Sequence, residues 1–455
     1  MQIPSHVHLI GIGGTGISAI ARVLHERGHQ VSGSDRTLSP LAADLQAQGV
    51  AVRVGHQAAN LNGAELVVRS SAVPDDNVEV KTARERGIPV LKRSDFLADL
   101  MAGQTGIAVA GSHGKTTTTS MIAWLLTALR QDPSFIVGGI IANLNTNAKA
   151  GNGPHFVIEA DEYDRMFHGL RPEIAIITNV EHDHPDCFPT EADFVEAFQK
   201  FAGLVGRTLF LCGDDKGVCS LLDTTEINAE TFTYGLEADN DFYPTDLVAT
   251  PGAGYAFDVN IHGVRGSRVR LLVPGLHNVQ NALAALAVAH RLGLPHDESV
   301  AALSRFTGSG RRFDERGEYD GVMLVDDYAH HPTEIRATLE AARQRYPGKT
   351  VWAVWQPHTY SRTLTLLDAY REAFVAADHL IVTDVYAARE TPPAEFSIQT
   401  VVDTLKAPDK RHIGALDDVS AYLCDHLQAN AVVLTLSAGS AVQITQDVKA
   451  CLSGE

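Results

Sequence analysis

Lys115 and its neighbours carry the clearest chemistry in the sequence. Gly111-Ser112-His113-Gly114-Lys115-Thr116-Thr117 follows an apolar run at 107–110 and precedes a helical pattern at 118–130. Strand, glycine loop, Lys-Thr and helix is the arrangement in which bare backbone N–H groups and a helix N-terminus face a phosphate. Lys115 supplies a point charge for the outer phosphates, and the hydroxyl of Thr116 or Thr117 can hold Mg²⁺. The loop is shorter than the usual form, because its first glycine is Gly111 and Val109-Ala110 stand before it. A plain glycine turn before a helix would leave the Lys-Thr run unexplained.

Acids and amides downstream could complete such a site. An apolar run at 156–158 ends in Glu159-Ala160-Asp161-Glu162-Tyr163-Asp164, and an acid at a strand end beside a phosphate loop can hold Mg²⁺ directly or through water. A strand at 174–177 ends in Thr178-Asn179-Val180-Glu181-His182-Asp183-His184, where His184 is a metal or phosphate contact or a structural histidine. Gly275-Leu276-His277-Asn278-Val279-Gln280-Asn281 opens an alanine-rich helix. Asn278 and Asn281 share one helix face and could read an adenine edge through their amides, or Asn278 could cap the helix.

A second glycine motif stands at the start of the sequence. Gly11-Ile12-Gly13-Gly14-Thr15-Gly16 follows a strand at 7–10 and opens a helix, and a strand at 30–33 leads to Asp35. In the dinucleotide fingerprint the first glycine makes the turn, the second admits a diphosphate and the third lets the helix pack on the strand, while the acid meets a ribose hydroxyl. Taken alone the motif points to an NAD-dependent oxidoreductase, but it specifies only a diphosphate and a sugar. Ser70 and Ser71 follow a strand at 66–68, at the sheet edge where such folds bind ligands.

The last third repeats the pattern. Gly308-Ser309-Gly310-Arg311-Arg312 reads as a hinge followed by two cations. Strands at 322–325, 351–355, 380–382 and 432–436 end in polar turns, among them Asp326-Asp327-Tyr328-Ala329-His330-His331-Pro332 and Gln356-Pro357-His358-Thr359-Tyr360-Ser361-Arg362. The His-His pair has no third ligand at metal spacing, so no zinc site is expected. These segments imply an α/β protein of three domains: a Rossmann-like domain at 1–104, a central P-loop ATPase-type domain with a mostly parallel sheet at 105–308, and a C-terminal Rossmann-like domain at 309–455.

Composition bounds the partners. At 455 residues the chain exceeds one core, and 45% hydrophobic with 20% charged residues describes a soluble protein. A net charge of −18 argues against nucleic acid and anionic membranes. Five scattered cysteines without a Cys-x-x-Cys pair imply neither zinc nor a disulfide framework. With no signal peptide and no long apolar run, a cytoplasmic protein is expected, as a monomer or homodimer.

In order and spacing these motifs resemble the Mur ligase family over nearly the whole chain. The resemblance implies a UDP-sugar domain, a central ATPase domain and a C-terminal domain that closes over both. It implies an ATP- and Mg²⁺-dependent ligase of peptidoglycan precursor synthesis, joining L-alanine to the lactyl carboxylate of UDP-N-acetylmuramate through an acyl phosphate. It places Gly11, Gly13, Gly14, Thr15, Gly16, Asp35, Ser70 and Ser71 on the UDP-sugar, and Gly111 to Thr117 on ATP. Asn278 and Asn281 would hold adenine, and Arg312 and Asp327 would contact the nucleotide. Thr116, Glu159 and His184 would bind magnesium, Lys115, Glu159 and His184 being catalytic. His330, His331, His358 and Arg362 would line the cleft. Lys200 lies off the helical position of the carbamylated lysine found in other members, so that modification is not expected. The nearest alternative within the family attaches a recycled murein tripeptide to the same sugar nucleotide.

Overall fold

The computed structural model describes residues 2–224 and 227–454. Three sheets follow one another along the chain. The first is parallel throughout, with strands in the order Ala51–Val54, Gln30–Asp35, His6–Ile10, Leu66–Arg69 and Val90–Lys92. His6–Ile10 lies between its two partners, so the glycine turn that follows it opens at the switch point of the sheet, where crevices form.

The second sheet has ten strands. Its parallel centre holds Thr208–Cys212, Ile174–Ile177, Thr105–Ala110, His155–Glu159 and Ser134–Ile141, and antiparallel strands extend both edges. Fully buried runs such as Ile174–Ile177 need covering on both faces, as helices on a parallel sheet provide. Helix Lys115–Ala128 covers one face with Met121, Ile122, Leu125 and Leu126, beside the alanine-rich helix Leu276–Arg291. The third sheet orders Asp314–Tyr319, Val322–Asp327, Ala431–Leu436, Thr350–Trp355, His379–Val382 and Asp409–His412, parallel except for its first strand.

The first sheet's helices dock on the central unit. Helix Thr15–Glu26 lies on Ser134–Ile141 and Thr146–Lys149, and helix Arg93–Met101 packs on the 3₁₀ turn Tyr163–Gly169. One apolar cluster runs from Val7 and Phe96 through to Phe167 and Phe198.

One expectation changes. The Gly308–Gly310 segment is not a free hinge: Ser309 is buried and bridges Ile141, Ala142 N–H donates to Gly308 O at 3.0 Å, and Gly310 N–H donates to Ile140 O at 2.8 Å. Loop backbone that is buried must find partners, and this segment finds them on a strand end. Among the described residues the cysteines form no framework, but spacing did not foresee the single pair that helices Leu416–His426 and Val442–Ser453 make of Cys424 and Cys451, their Cα atoms 6.4 Å apart. Helix packing, which spacing does not encode, brings them together.

Candidate active site

The phosphate loop is shaped by what lies behind it. Gly111 has φ 140° and Gly114, the N-cap of helix Lys115–Ala128, has φ 78°. A β-carbon at Gly111 would lie 1.9 Å from Thr178 Oγ1, and one at Gly114 would lie 2.8 Å from Asn281 Oδ1. Both glycines therefore answer to a contact as well as to a turn. Thr178 Oγ1 donates to His113 O at 2.5 Å and Asn179 Oδ1 accepts from His113 N–H at 2.7 Å, so the end of strand Ile174–Ile177 holds the loop.

Lys115 is fully committed. Its Nζ donates to Gly111 O at 2.5 Å and Ser112 O at 3.1 Å, and meets both oxygens of Glu162 at 3.0 and 2.8 Å. Burial works against the ammonium, but Glu162 and the neighbouring acids outweigh it and hold the lysine above its ordinary pKa. Glu162 is completely buried and also faces His184 Nε2 at 3.3 Å. Sequence reasoning did not separate Glu162 from the surrounding acids; no local pattern marks it as the buried one.

The expected magnesium set divides in two. Thr116 Oγ1 donates to Glu159 Oε1 at 2.9 Å, and Gly138 N–H donates to Glu159 Oε2 at 2.6 Å. Burial raises the Glu159 pKa, only partly opposed by Lys115, so this carboxylate lacks a full counter-charge. A hydroxyl and a charge-deficient carboxylate are hard oxygen donors of the kind magnesium takes, and the set fits. His184 stands with other partners: Arg362 Nη2 donates to its Nδ1 at 3.1 Å while Nε2 faces Glu162. Neither ring nitrogen is free.

The amide pair is placed as expected but occupied. Asn281 Oδ1 accepts from Thr118 Oγ1 at 3.0 Å, Asn281 Nδ2 donates to Asn278 Oδ1 at 3.0 Å, and Asn278 Nδ2 donates to Pro274 O at 2.6 Å. Asn278 does not cap its helix; Gly275 is the N-cap. Asn278 and Asn281 line a cavity of about 280 Å³ that runs from Gly114 and Thr116 to Arg312 and Asp327.

The third sheet closes the far wall. Arg312 Nη1 meets Glu334 at 3.2 Å and its guanidinium lies over the Tyr328 ring. Asp327 accepts from Phe313 N–H and Ala329 N–H, yet burial raises it to about 6. His331 caps helix Pro332–Arg345 rather than facing the cleft freely, and its ring lies tilted against that of His113 with ring centres 4.5 Å apart. Burial lowers His330 to about 3, and burial with Arg362 lowers His358 to about 4. Arg362 donates to Asp183 Oδ1 at 2.8 Å and to His358 Nδ1 at 2.9 Å. His113 bridges the units, with Nε2 at 2.9 Å from Glu181 and Nδ1 at 3.4 Å from Glu334. Burial opposes its charge, but the two acids hold its pKa up at about 9.

The N-terminal motif has reasons of its own. Gly11, φ 85°, brings its turn against Ser70, whose Cβ would be 3.0 Å from an added β-carbon. Asp35 Oδ2 accepts from Gly13 N–H at 2.8 Å and Oδ1 from Arg36 N–H at 2.7 Å, so a ribose hydroxyl would share oxygens that already hold the turn. The second glycine thus makes room for Asp35. The third makes room for Arg93 rather than for helix-on-strand packing: a β-carbon at Gly16 would meet Arg93 Nη1 at 2.0 Å. Gly14 is the N-cap of helix Thr15–Glu26, where Thr15 is exposed, as is Ser71 on the facing turn.

A Rossmann-like sheet, a phosphate loop with an acid beneath it and a third α/β unit over the cleft define a nucleotide-dependent ligase, and comparison with known proteins agrees. Three family models match in order: Mur ligase family, catalytic domain, at residues 6–105; Mur ligase middle domain at 109–289; and Mur ligase, glutamate ligase domain, at 311–439. The chain belongs to the Mur ligase family. It is 41% identical over 445 residues to UDP-N-acetylmuramate–L-alanine ligase of Alkaliphilus metalliredigens, covering 97% of this chain and 96% of the relative. It is 43% identical over 451 residues to the protein of the same name from Solibacter usitatus, covering 98% and 95%. The solved UDP-N-acetylmuramate-alanine ligase of Thermotoga maritima superposes with TM-score 0.81 at 30% identity, covering 98% of each chain. A murein peptide ligase from Psychrobacter arcticus gives 0.74 at 26%, covering 99% of each.

Two outcomes are expected. Glu159→Ala raises the magnesium requirement and cuts turnover roughly 10²-fold or more, read from a magnesium titration of the rate; an unchanged magnesium dependence places the ion elsewhere. His113 carries a folded-state pKa above its ordinary 6.5, so its stabilising effect is complete below that value and is lost as pH rises through about 9. His113→Gln therefore lowers the thermal midpoint at neutral pH, and the gap from wild type closes above pH 9.

Proposed function

We infer that the chain is an ATP-dependent ligase that joins L-alanine to the lactyl carboxylate of UDP-N-acetylmuramate, releasing ADP and phosphate. The observation that carries this reading is full-length identity of 40–43% to proteins of that name, combined with a phosphate loop whose lysine and acid are in place. The recycled-tripeptide reading is weaker on both identity and superposition. The NAD-oxidoreductase reading fails because the chain carries a second nucleotide loop and belongs to the Mur ligases.

The chemistry follows from the substrates. A carboxylate is a poor acyl donor, so its oxygen takes the γ-phosphoryl group of ATP, and the amine then attacks the acyl phosphate and expels phosphate. The first step brings two anions together, and positioning with electrostatic stabilisation is what the protein must supply. Lys115 leaves Glu162 to meet the outer phosphates, and the uncapped first N–H groups of helix Lys115–Ala128 meet them as well. Thr116 and Glu159 would hold magnesium, which when bound neutralises charge on the phosphate oxygens; His184 joins them by exchanging its Glu162 contact. Asn278 and Asn281 flank the base, with Arg312 and Asp327 against the nucleotide from the far wall. The turns at 11–16 and 70–71, with Asp35, take the UDP-sugar. His330, His331, His358 and Arg362 border the meeting point of carboxylate and amine. We assign these tasks to units at 1–104, 105–308 and 309–455. Among the described residues no helix is long and apolar enough to cross a membrane, in keeping with a cytoplasmic enzyme acting on small molecules as a monomer or homodimer.

Phosphate release from ATP and Mg²⁺ with UDP-N-acetylmuramate tests this. Release is expected to be fastest with L-alanine, with the matching mass gain on the sugar nucleotide, and to vanish in Lys115→Ala. Activity only with the tripeptide moves the protein to the recycling branch.

A further inference from the structure

Glu181 meets two histidines that lie far apart in the sequence. His113 Nε2 is 2.9 Å from Glu181 Oε2, and His331 Nδ1 is 3.9 Å from the same oxygen. One ligand atom from each of the three lies within 4.8 Å of the others, the one such group of His, Cys, Asp and Glu among the described residues. Tetrahedral zinc, at about 2.0–2.1 Å from each ligand, sets neighbouring ligand atoms about 3.3 Å apart. The 2.9 and 3.9 Å pairs bracket that spacing, so turns of the side chains complete the set. The backbone beneath is fixed, because Ser112 Oγ donates to Glu181 O at 2.7 Å and accepts from Glu181 N–H at 2.8 Å.

The atoms behind these ligands are arranged as a metal site requires. Glu334 Oε1 lies 3.4 Å from His113 Nδ1, the ring nitrogen turned away from Glu181. Thr333 Oγ1 donates to Glu181 Oε1 at 2.8 Å and leaves Oε2 for an ion. A carboxylate behind a histidine and a hydroxyl behind a carboxylate orient ligands in this way. His331 Nδ1 already presents a lone pair, since it accepts from Thr333 N–H, and that bond is long at 3.3 Å. His331 is buried and its Nε2 has no hydrogen-bond partner, so no bond there holds the ring against a turn. The Glu181 side chain is 42% exposed and lines the cavity with His113 and Thr333, which leaves a fourth position open to water.

We propose that His113, Glu181 and His331 form a second cation site, separate from Thr116 and Glu159, for a borderline transition-metal ion of the zinc class. Two imidazoles and one carboxylate suit zinc, whereas magnesium takes oxygen donors. The ion replaces the proton shared between His113 and Glu181. Its ligands come from the phosphate loop, the turn after strand Ile174–Ile177 and the start of helix Pro332–Arg345, so it clamps the phosphate loop to the C-terminal unit. Filling the site immobilises the loop that meets ATP and lowers turnover. That inhibitory role rests on the ATP reading above; the site itself does not.

Calorimetric titration of the whole protein with Zn²⁺ in excess Mg²⁺, without substrates, tests the site, and Co²⁺ in its place reports ligand geometry by visible absorption. One equivalent is expected to bind, with the absorption of tetrahedral cobalt and a raised thermal midpoint. Glu181→Gln and His331→Gln should each weaken binding roughly 100-fold or more, Thr333→Val about 10-fold, and Glu159→Ala not at all. Thr333→Val removes no ligand and keeps the test open if a ligand variant fails to fold. Phosphate release at saturating Mg²⁺ should fall as the site fills. Loss in Glu159→Ala with His331→Gln unaffected would put the ion on the magnesium set and overturn the proposal. Weak binding of several equivalents, equal in wild type and variants, would mean an adventitious ion only and overturn it as well. One equivalent bound with turnover unchanged would overturn the inhibitory clamp. Zinc binding with the expected variant pattern in a protein that never turns over ATP would support the site and refute the ligase reading instead.

Discussion

The site depends on one buried ion pair. Glu162 has no exposed surface, and an isolated carboxylate in that position would cost several kcal/mol or shift to its neutral form. Lys115 prevents this by meeting both of its oxygens, while the same ammonium bonds to Gly111 O and Ser112 O. One side chain thus ties the acidic loop under the sheet to the first turn of the phosphate loop. The arrangement also sets a condition on binding: an ammonium has three donors, all in use, so a phosphate oxygen must displace one partner.

The third sheet is locked to the second through similar exchanges. Arg362 reaches from its own helix to Asp183 and His184, and Glu334 reaches to His113 in the phosphate loop. Thr333 adds a hydrogen bond to Glu181 at 2.8 Å. Each contact joins a residue at the end of a central strand or in its loop to the start of a helix in the C-terminal unit. The residues that hold the two units together thus lie beside the phosphate loop and the strand ends around it. The overall charge of −18 plays no part in this, since the cations that matter are few and placed one by one.

Much of this was legible in the sequence because parallel α/β units announce themselves. Buried strands read as apolar runs, and their polar ends must lie along one sheet edge. That logic put Glu159 and Asp327 at strand ends and Lys115 in the turn after a strand, and the structure has each there. It missed Asp409–His412 and Asp314–Tyr319, edge strands whose charged residues show no alternation. It recognised the glycines but not their reasons, because the atoms that exclude a side chain at Gly16, Gly13 and Gly111 come from Arg93, Asp35 and Thr178, remote in sequence. The same limit hid the pairing of Cys424 with Cys451.

Burial sorts the carboxylates by task more sharply than motif position does. Glu162, Glu181, Asp183 and Glu334 are all buried to some degree, which would raise their pKa values, yet all are held below the ordinary range by Lys115, His113, Arg362 and neighbouring histidines. Their charges are already answered within the protein, so they serve structure and closure. Glu159 and Asp327 are shifted upward, because the cations near them do not offset the loss of water. An acid left short of positive charge in a folded protein is costly unless something outside the chain completes it. Glu159 beside Thr116 lacks a cation, which magnesium would supply. Asp327, on the cleft wall, already accepts from Phe313 N–H, Ala329 N–H and Thr338 Oγ1, but has no full counter-charge. Burial shifts Asp215 and Asp326 the same way, so the shift marks acids short of positive charge, and position selects among them: Glu159 stands beside Thr116 and Asp327 on the cleft wall.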